Sequence, residues 1–285
     1  MSKKSTSTVA FGSTKRESHD ASGYYSRHLR DVVEDKTTLP DDTSIESYLA
    51  CGSSESMPEL PDNSVGLMIT SPPYHVGKDY DTDATFEEHL DLLQRVFAEC
   101  YRVLEPGGRA AVNVANLGRK PYINVVAIVD AIMQDIGFLP RGEIIWVKAK
   151  GASGSCAFGS WMKASNPVLR DVHEAILVYS KGRWDRAKRG ESTISRDDFL
   201  QNTLSVWYMR PESAKRVGHP APFPIELPAR LIDLFSYTDD LVLDPFMGVG
   251  TTCLAAAHRN RRWVGYDTDA SYVDAARERL QAEGY

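Results

Sequence analysis

The sequence predicts an α/β protein with a mostly parallel sheet and helices on both faces. Three observations carry this. First, apolar runs of strand length alternate with amphipathic stretches of helix length from about Ser44 to the end of the chain, the pattern of a parallel sheet covered on both sides. Second, the apolar run Val65-Gly66-Leu67-Met68-Ile69 stops at Pro72-Pro73, which cannot extend a sheet ladder, so a stiff turn stands at that strand's carboxyl end. Third, Leu241-Val242-Leu243-Asp244 leads into Gly248-Val249-Gly250-Thr251-Thr252: strand, acid, glycine turn, helix start. Open α/β sheets bind ligands outside the carboxyl ends of their strands, where both turns would lie.

Residues 1–40 are rich in Ser, Thr, Lys, Arg and Asp without apolar periodicity, and are read as a flexible amino-terminal arm. Its basic residues (Lys3, Lys4, Lys15, Arg16, Arg27, Arg30) fit either a solvated tail or phosphate contacts. Ile45 to Cys51 reads as a strand region, Gly52-Ser53 as a turn and Leu60 to Ser64 as a loop. After Thr70-Ser71-Pro72-Pro73-Tyr74, the segment His75 to Tyr80 is a loop beside that turn. There Lys78 is a candidate phosphate contact and Tyr80 a second aromatic wall, with an ordinary surface loop as the alternative. Thr85-Phe86-Glu87-Glu88 is a capping box. It opens a helix with apolar positions at Leu90, Leu93, Val96, Phe97, Cys100 and Leu104, which Glu105-Pro106-Gly107-Gly108 is expected to end.

A strand over Arg109–Val114, a helix over Asn124–Ile136 stopped by Gly137, and a strand over Glu143–Val147 follow. The stretch 149–171 has three glycines, four serines and Pro167, with no periodicity; so long an irregular segment inside a domain is usually functional or mobile. His173 to Lys181 is a strand expected near the sheet edge. His173 and Glu174 either line the site or form a satisfied strand-end pair. Prolines 220, 222 and 224 set an extended approach to a helix over Ile225–Tyr237. The strand Trp263–Asp267 and a helix from Ser271 to about Glu283 close the chain.

The first turn offers the Ser71 hydroxyl, the Pro72 and Pro73 carbonyls and the Tyr74 ring: acceptors beside a stacking surface, suited to a planar base with an amino group. Alone it also reads as a polyproline-like turn. At the second turn, Asp244 ends a buried strand, where an acid is costly unless it binds something. Gly248 and Gly250 permit close approach to a ligand, and free N–H groups at the Thr251-Thr252 helix start favour a carboxylate. Asp267, 23 residues after Asp244, suits a ribose clamp. A nicotinamide enzyme fits a glycine loop and distal acid too, but the third glycine of that fingerprint is missing and Pro245-Phe246 follows the acid.

Together the two turns resemble those of the amino-methylating DNA methyltransferases, in the motif order of the permuted beta group. The resemblance implies a Rossmann-like S-adenosylmethionine-dependent fold with a small inserted DNA-recognition segment. It implies S-adenosylmethionine as cofactor, leaving as S-adenosylhomocysteine, and a catalytic motif of Ser71, Pro72, Pro73 and Tyr74. It places His219, Pro220 and Phe223 against the cofactor's methionine part and Asp244 near its charged end, with Pro245, Phe246, Gly248, Gly250, Thr251, Thr252 and Asp267 completing the site. Where the family often carries Gly-Asp after its first strand, this chain has Gly52-Ser53. Family members with Ser-Pro-Pro-Tyr mostly make N4-methylcytosine and those with Asp-Pro-Pro-Tyr mostly N6-methyladenine; adenine N6 therefore stands as the alternative. An RNA or protein methyltransferase and a non-catalytic DNA-binding module on the same fold are further alternatives.

The expected organisation is a catalytic half over 44–181, a target-recognition segment over 182–217 and a cofactor half over 218–285. Lys181 to Val217 holds nine basic and five acidic residues, a local excess in a chain of net charge −6. Phosphate contacts need such an excess. Lys181, Arg183, Arg186, Lys188, Arg189, Arg210, Lys215 and Arg216 are the candidate DNA contacts, with Lys78 from the earlier loop; Trp184, Trp207 and Tyr208 add flat surfaces. With 42% hydrophobic residues the chain can bury a large core. No apolar run is membrane-length, none opens the chain, and its four cysteines have no metal or redox spacing. The expectation is a cytoplasmic enzyme without a metal, acting on double-stranded DNA as monomer or homodimer, either as an orphan methylase or beside a separately acting restriction endonuclease.

Overall fold

The computed structural model describes residues 37, 39, 44–73, 85–118, 121–148, 158–212 and 223–285. Among these, eight strands form one sheet: β1 (Tyr48–Cys51), β2 (Val65–Thr70), β3 (Leu104–Val114), β4 (Phe138–Lys148), β5 (His173–Lys181), β6 (Val206–Met209), β7 (Leu241–Asp244) and β8 (Arg262–Asp267). Their order across the sheet is β1-β8-β7-β2-β3-β5-β4-β6. Every neighbouring pair is parallel except those of β5, which runs against both β3 and β4. The expected mostly parallel sheet is present. The strand expected near the edge, β5, instead lies two strands in.

Helices α1 (Phe86–Val103), α2 (Val125–Ile136), α3 (Arg196–Asn202), α4 (Glu226–Phe235), α5 (Thr251–Ala257) and α6 (Ala270–Ala282) connect the strands. Side chains of β2 cover both faces, the alternation of Leu67, Met68 and Ile69 following a register shift between Val65 and Leu67. Val65 and Met68 join a core with Leu93, Phe97, Val129 and Met133 of α1 and α2. Leu67 and Ile69 join one with Leu227, Leu231 and Ala255 of α4 and α5. The capping box forms as expected: Thr85 accepts from the Glu88 N–H, and Glu88 accepts from the Thr85 N–H. Asn124 caps α2, which Gly137 ends in the left-handed region. No helix among the described residues is long and apolar enough to cross a membrane.

The permuted order closes simply. The first strand pairs with the last, Cys51 lying opposite Asp267. From the β2–β7 junction the chain winds one way through β3 and the other way through β8. That reversal is a topological switch point, where such sheets open a crevice at their carboxyl edge.

The helix ends where Glu105-Pro106-Gly107-Gly108 is expected to end it, with Val103 its last residue and Leu104 its C-cap. These four residues belong to β3, which thus starts before the expected Arg109, and its register against β2 jumps from Val65↔Leu104 to Leu67↔Arg109. Gly107 takes φ +79°, and a Cβ there would meet the Asp185 carbonyl oxygen at 1.9 Å. The Ala187 N–H donates to the Pro106 carbonyl at 3.1 Å. The bulge is therefore clamped by a segment almost 80 residues away.

Candidate active site

Strand ends bring the site residues to one edge of the sheet. Reading across it, that edge carries Ser53, Asp267, Asp244, Ser71, Asn113, Glu174, Lys148 and Arg210, from or just beyond β1, β8, β7, β2, β3, β5, β4 and β6 respectively. Because β5 runs backwards, it is its amino-terminal end that reaches this edge.

On one side of the switch point lie the two acids. Asp244 is 1% exposed. Its Oδ1 accepts from Thr70 Oγ1 at 2.8 Å and from the Phe246 N–H at 3.1 Å. Burial lifts its carboxyl to about 6, against the hydroxyls of Thr252 and Thr70 and the Phe246 N–H, which favour the ionised form. Asp267 accepts from the Gly248 N–H and the Asp269 N–H, each at 2.9 Å, and burial raises it too. Gly248 and Gly250 have φ of +51° and +74°, the left-handed turn that non-glycine residues resist. A Cβ on Gly250 would lie 2.8 Å from that of Ala276, so the glycine also lets α6 pack against the loop. Arg279 of that helix holds the Val249 carbonyl and the Thr251 hydroxyl. Pro245 accepts from the Ser54 hydroxyl through its carbonyl, and Phe223 packs against the core under α4.

These acceptors fit a cationic, polyhydroxylated ligand. Two carboxylates, each raised by burial, stand on adjacent strands, Asp267 two residues beyond the Gly265 that pairs with Asp244, and an ammonium or a ribose diol relieves that cost. Ser53 contributes no acid. Its hydroxyl instead donates to Glu55, two residues on, which pairs with Arg95.

On the other side stands Ser71, one strand from Asp244. Asn113 Nδ2 approaches Ser71 Oγ at 3.4 Å and donates to Glu174 Oε2 at 2.6 Å. Glu174 Oε1 pairs with Lys148 Nζ at 2.5 Å. Glu174, expected either to line the site or to form a satisfied strand-end pair, reaches the Ser71 turn through Asn113, while His173 is exposed. Asn113 and Lys148 were missed. The available signal was Asn113 itself, the one uncharged polar residue in the buried run Ala110–Val114. Tyr74, Lys78, Lys215, Arg216, His219 and Pro220 lie outside the described residues.

The basic residues divide. Lys181 ends β5 at the opposite edge of the sheet, eight residues or roughly 25 Å from His173. It is buried, its ammonium donating to Asn63 Oδ1 and the Arg102 carbonyl. The Arg186 side chain is 8% exposed and pairs with Glu105 at 2.5 Å and Asp240 at 3.0 Å. Lys188 joins Asp240 at 3.3 Å. Arg183 and Arg189 belong to the same segment. The expectation that Lys181 and Arg186 contact DNA is therefore corrected. That stretch lies at the edge away from Ser71, and its arginine secures the bulge of β3. Arg210, exposed after β6, is at the edge that carries Ser71. Of the flat side chains, Trp207 is buried under Arg230, Trp184 lies beneath Arg141 and Tyr208 is exposed.

A family model described as DNA methylase, covering the N6 and N4 enzymes, matches residues 65–278. The chain belongs to this N6/N4 DNA methylase family. It is similar to Type II methyltransferase M.MthZI of Methanothermobacter thermautotrophicus, with 31% identity over 80% of this chain and 74% of that one. It is also similar to M.BglII of Bacillus subtilis, with 29% identity over 79% of this chain and 66% of the relative. Among solved structures, a candidate DNA modification methylase of Thermus thermophilus, complexed with S-adenosyl-L-methionine, superposes with a TM-score of 0.68 at 30% identity, over 84% of this chain and 96% of that one. The cytosine-N4-specific PvuII DNA methyltransferase shares the fold, with a TM-score of 0.66 at 22% identity over 84% and 87%. As a member of this methylase family, the protein takes S-adenosylmethionine as cofactor.

Proposed function

We propose that the protein transfers a methyl group from S-adenosylmethionine to the exocyclic N4 of a cytosine flipped out of duplex DNA, releasing S-adenosylhomocysteine and one proton from N4. The observation that carries this reading is the placement of Ser71. A hydroxyl, not a carboxylate, stands at the carboxyl end of β2, one strand from the buried acid Asp244.

S-adenosylmethionine supplies an electrophilic methyl on its sulfonium. Asp244 takes the ammonium of the methionine end and Asp267 the ribose hydroxyls, with the Gly248–Gly250 turn close against them. An exocyclic amino group is a weak nucleophile because its lone pair is delocalised into the ring. Two acceptors on its hydrogens draw that lone pair back to nitrogen. Ser71 Oγ and the Pro72 carbonyl are those acceptors. With two lone pairs, Ser71 Oγ can accept from Asn113 and from an N4 hydrogen together. Glu174, held by Lys148, keeps Asn113 turned toward the serine. Holding donor and acceptor in line supplies much of the acceleration in such a transfer, and Tyr74 is the stacking surface for the flipped base. The Type II relatives support a modification role on duplex DNA beside a separately acting endonuclease.

The test is nucleoside mass spectrometry on unmethylated genomic DNA incubated with the protein and S-adenosylmethionine. N4-methylcytosine is the expected product. N6-methyladenine instead would retain the family and the cofactor site and overturn the inference from serine to cytosine.

A further inference from the structure

Between β4 and β5, residues 158–172 fold into a small hairpin that the reaction above does not use. Gly159 bridges Pro167, Ser160 and Asn166 exchange backbone and side-chain hydrogen bonds, and the Val168 N–H donates to the Phe158 carbonyl at 3.0 Å. The Phe158 ring meets Trp161 edge-on at 4.8 Å and lies 4.4 Å from the Arg170 guanidinium. So ordered a loop would ordinarily bury its apolar side chains, yet Trp161 is 65% exposed, Met162 88% and Leu169 93%. Met162 also holds φ +52°, a conformation costly for a side chain left this exposed.

The hairpin's position says what covers it. It springs from the catalytic edge: the Lys148 N–H donates to the Val172 carbonyl at 2.9 Å, and two residues further Glu174 reaches Asn113 beside Ser71. Lys163 and Arg170 are exposed on it, the charge a phosphate backbone attracts. Removing a base from a duplex leaves a gap in the stack, and proteins that unstack DNA insert apolar side chains to fill it. We propose that this hairpin is the element that enters the DNA. Trp161 and Met162 occupy the space the target base leaves, and Lys163 and Arg170 meet the flanking phosphates. The inference rests on the proposed action on duplex DNA.

Two variants test it. Met162→Gly removes the side chain at a backbone angle glycine adopts freely, so a folding defect does not explain a loss; Trp161→Ala removes the other. Sequencing of wild-type-treated genomic DNA identifies the methylated site. Two oligonucleotide duplexes then carry it, one fully paired and one with the target base mispaired, because a mispaired base costs less to flip. Each variant is expected to lose about tenfold or more in kcat/KM on the paired duplex, to stay within about threefold of wild type on the mispaired one, and to bind S-adenosylmethionine unchanged. Equal losses on both duplexes, no loss on either, or a hairpin-dependent dimer in sedimentation would overturn the wedge. A wild-type protein that methylates no DNA would overturn the function beneath it, and is read separately from the variants.

Discussion

Thr70 Oγ1 donates to Asp244 Oδ1 at 2.8 Å, across 174 residues of sequence. Thr70 immediately precedes Ser71, the proposed catalytic serine, and Asp244 precedes the glycine turn. One hydrogen bond thus spans the switch point and joins the strand that presents Ser71 to the strand that presents the proposed cofactor acid. In Thr70→Val the shape is kept and the donor lost. Leaving a buried acceptor short of a partner costs roughly 1–3 kcal/mol, which thermal or urea unfolding will read. The loss also removes a group that favours the ionised carboxyl, so Asp244 rises further. Cofactor affinity in Thr70→Val should be weakened at pH 7 and recover at higher pH; a defect independent of pH would refute the coupling.

The acid's own titration gives a second prediction. The folded, cofactor-free protein holds the Asp244 proton up to about 6, against 3.8 for an ordinary carboxyl. Only the ionised form attracts a cationic ligand. Affinity for S-adenosylmethionine should therefore be flat above about pH 6.5 and fall below it, by up to about tenfold per pH unit. The stability contribution has the opposite sign. Since the folded state binds this proton more tightly than the unfolded chain, the group adds stability as pH falls through about 6 toward 3.8, and the gain is complete below that. Calorimetric titration across this range should find the fall in wild type and a weaker, level affinity in Asp244→Asn. A wild-type profile without the fall would remove Asp244 from the site.

The strand-end positions of Asp244, Asp267 and Ser71 were legible in the sequence because each follows an apolar run whose end is marked by Pro-Pro, by glycines or by the next helix. The capping box at Thr85 and the left-handed stop at Gly137 were legible for the same local reason. What was not legible depends on pairing at long range. Arg186 looked like a surface cation because nothing near it in sequence shows Glu105 or Asp240, 81 and 54 residues away. The bulge at Gly107 was not legible because Pro-Gly-Gly reads locally as a helix stop; Asp185 and Ala187, almost 80 residues on, hold it in the strand. Asn113 and Glu174 meet only through the antiparallel register of β5 on β3.

The division of the basic residues predicts opposite behaviours. Arg186→Met should cost about 3–5 kcal/mol of stability, since it leaves Glu105 buried without its cation and Asp240 with Lys188 alone. It should leave the salt dependence of DNA binding unchanged. Arg210→Ala should unfold like wild type, and the slope of log K against log salt should shrink by roughly one phosphate contact. Electrophoretic mobility shifts over a salt series, with unfolding curves for both variants, separate the two cases. A reduced slope in folded Arg186→Met would return the segment 181–189 to the DNA.

The chain from Ser71 through Asn113 to Glu174 gives the last prediction. Ser71→Ala should lower kcat by about 100-fold or more, as loss of a transition-state hydrogen-bonding group does, with cofactor binding kept. Asn113 acts only by positioning that serine, so Asn113→Ala should lower kcat less, about tenfold, again without altering cofactor affinity. Glu174→Gln keeps an acceptor for Asn113 but loses the charge that Lys148 holds, and should fall between wild type and Asn113→Ala. The deciding measurement is the double variant. If Asn113 works through Ser71, Ser71→Ala with Asn113→Ala should be no slower than Ser71→Ala alone, because groups acting as one unit are not additive. Multiplied losses in the double variant would mean that Asn113 meets the base itself.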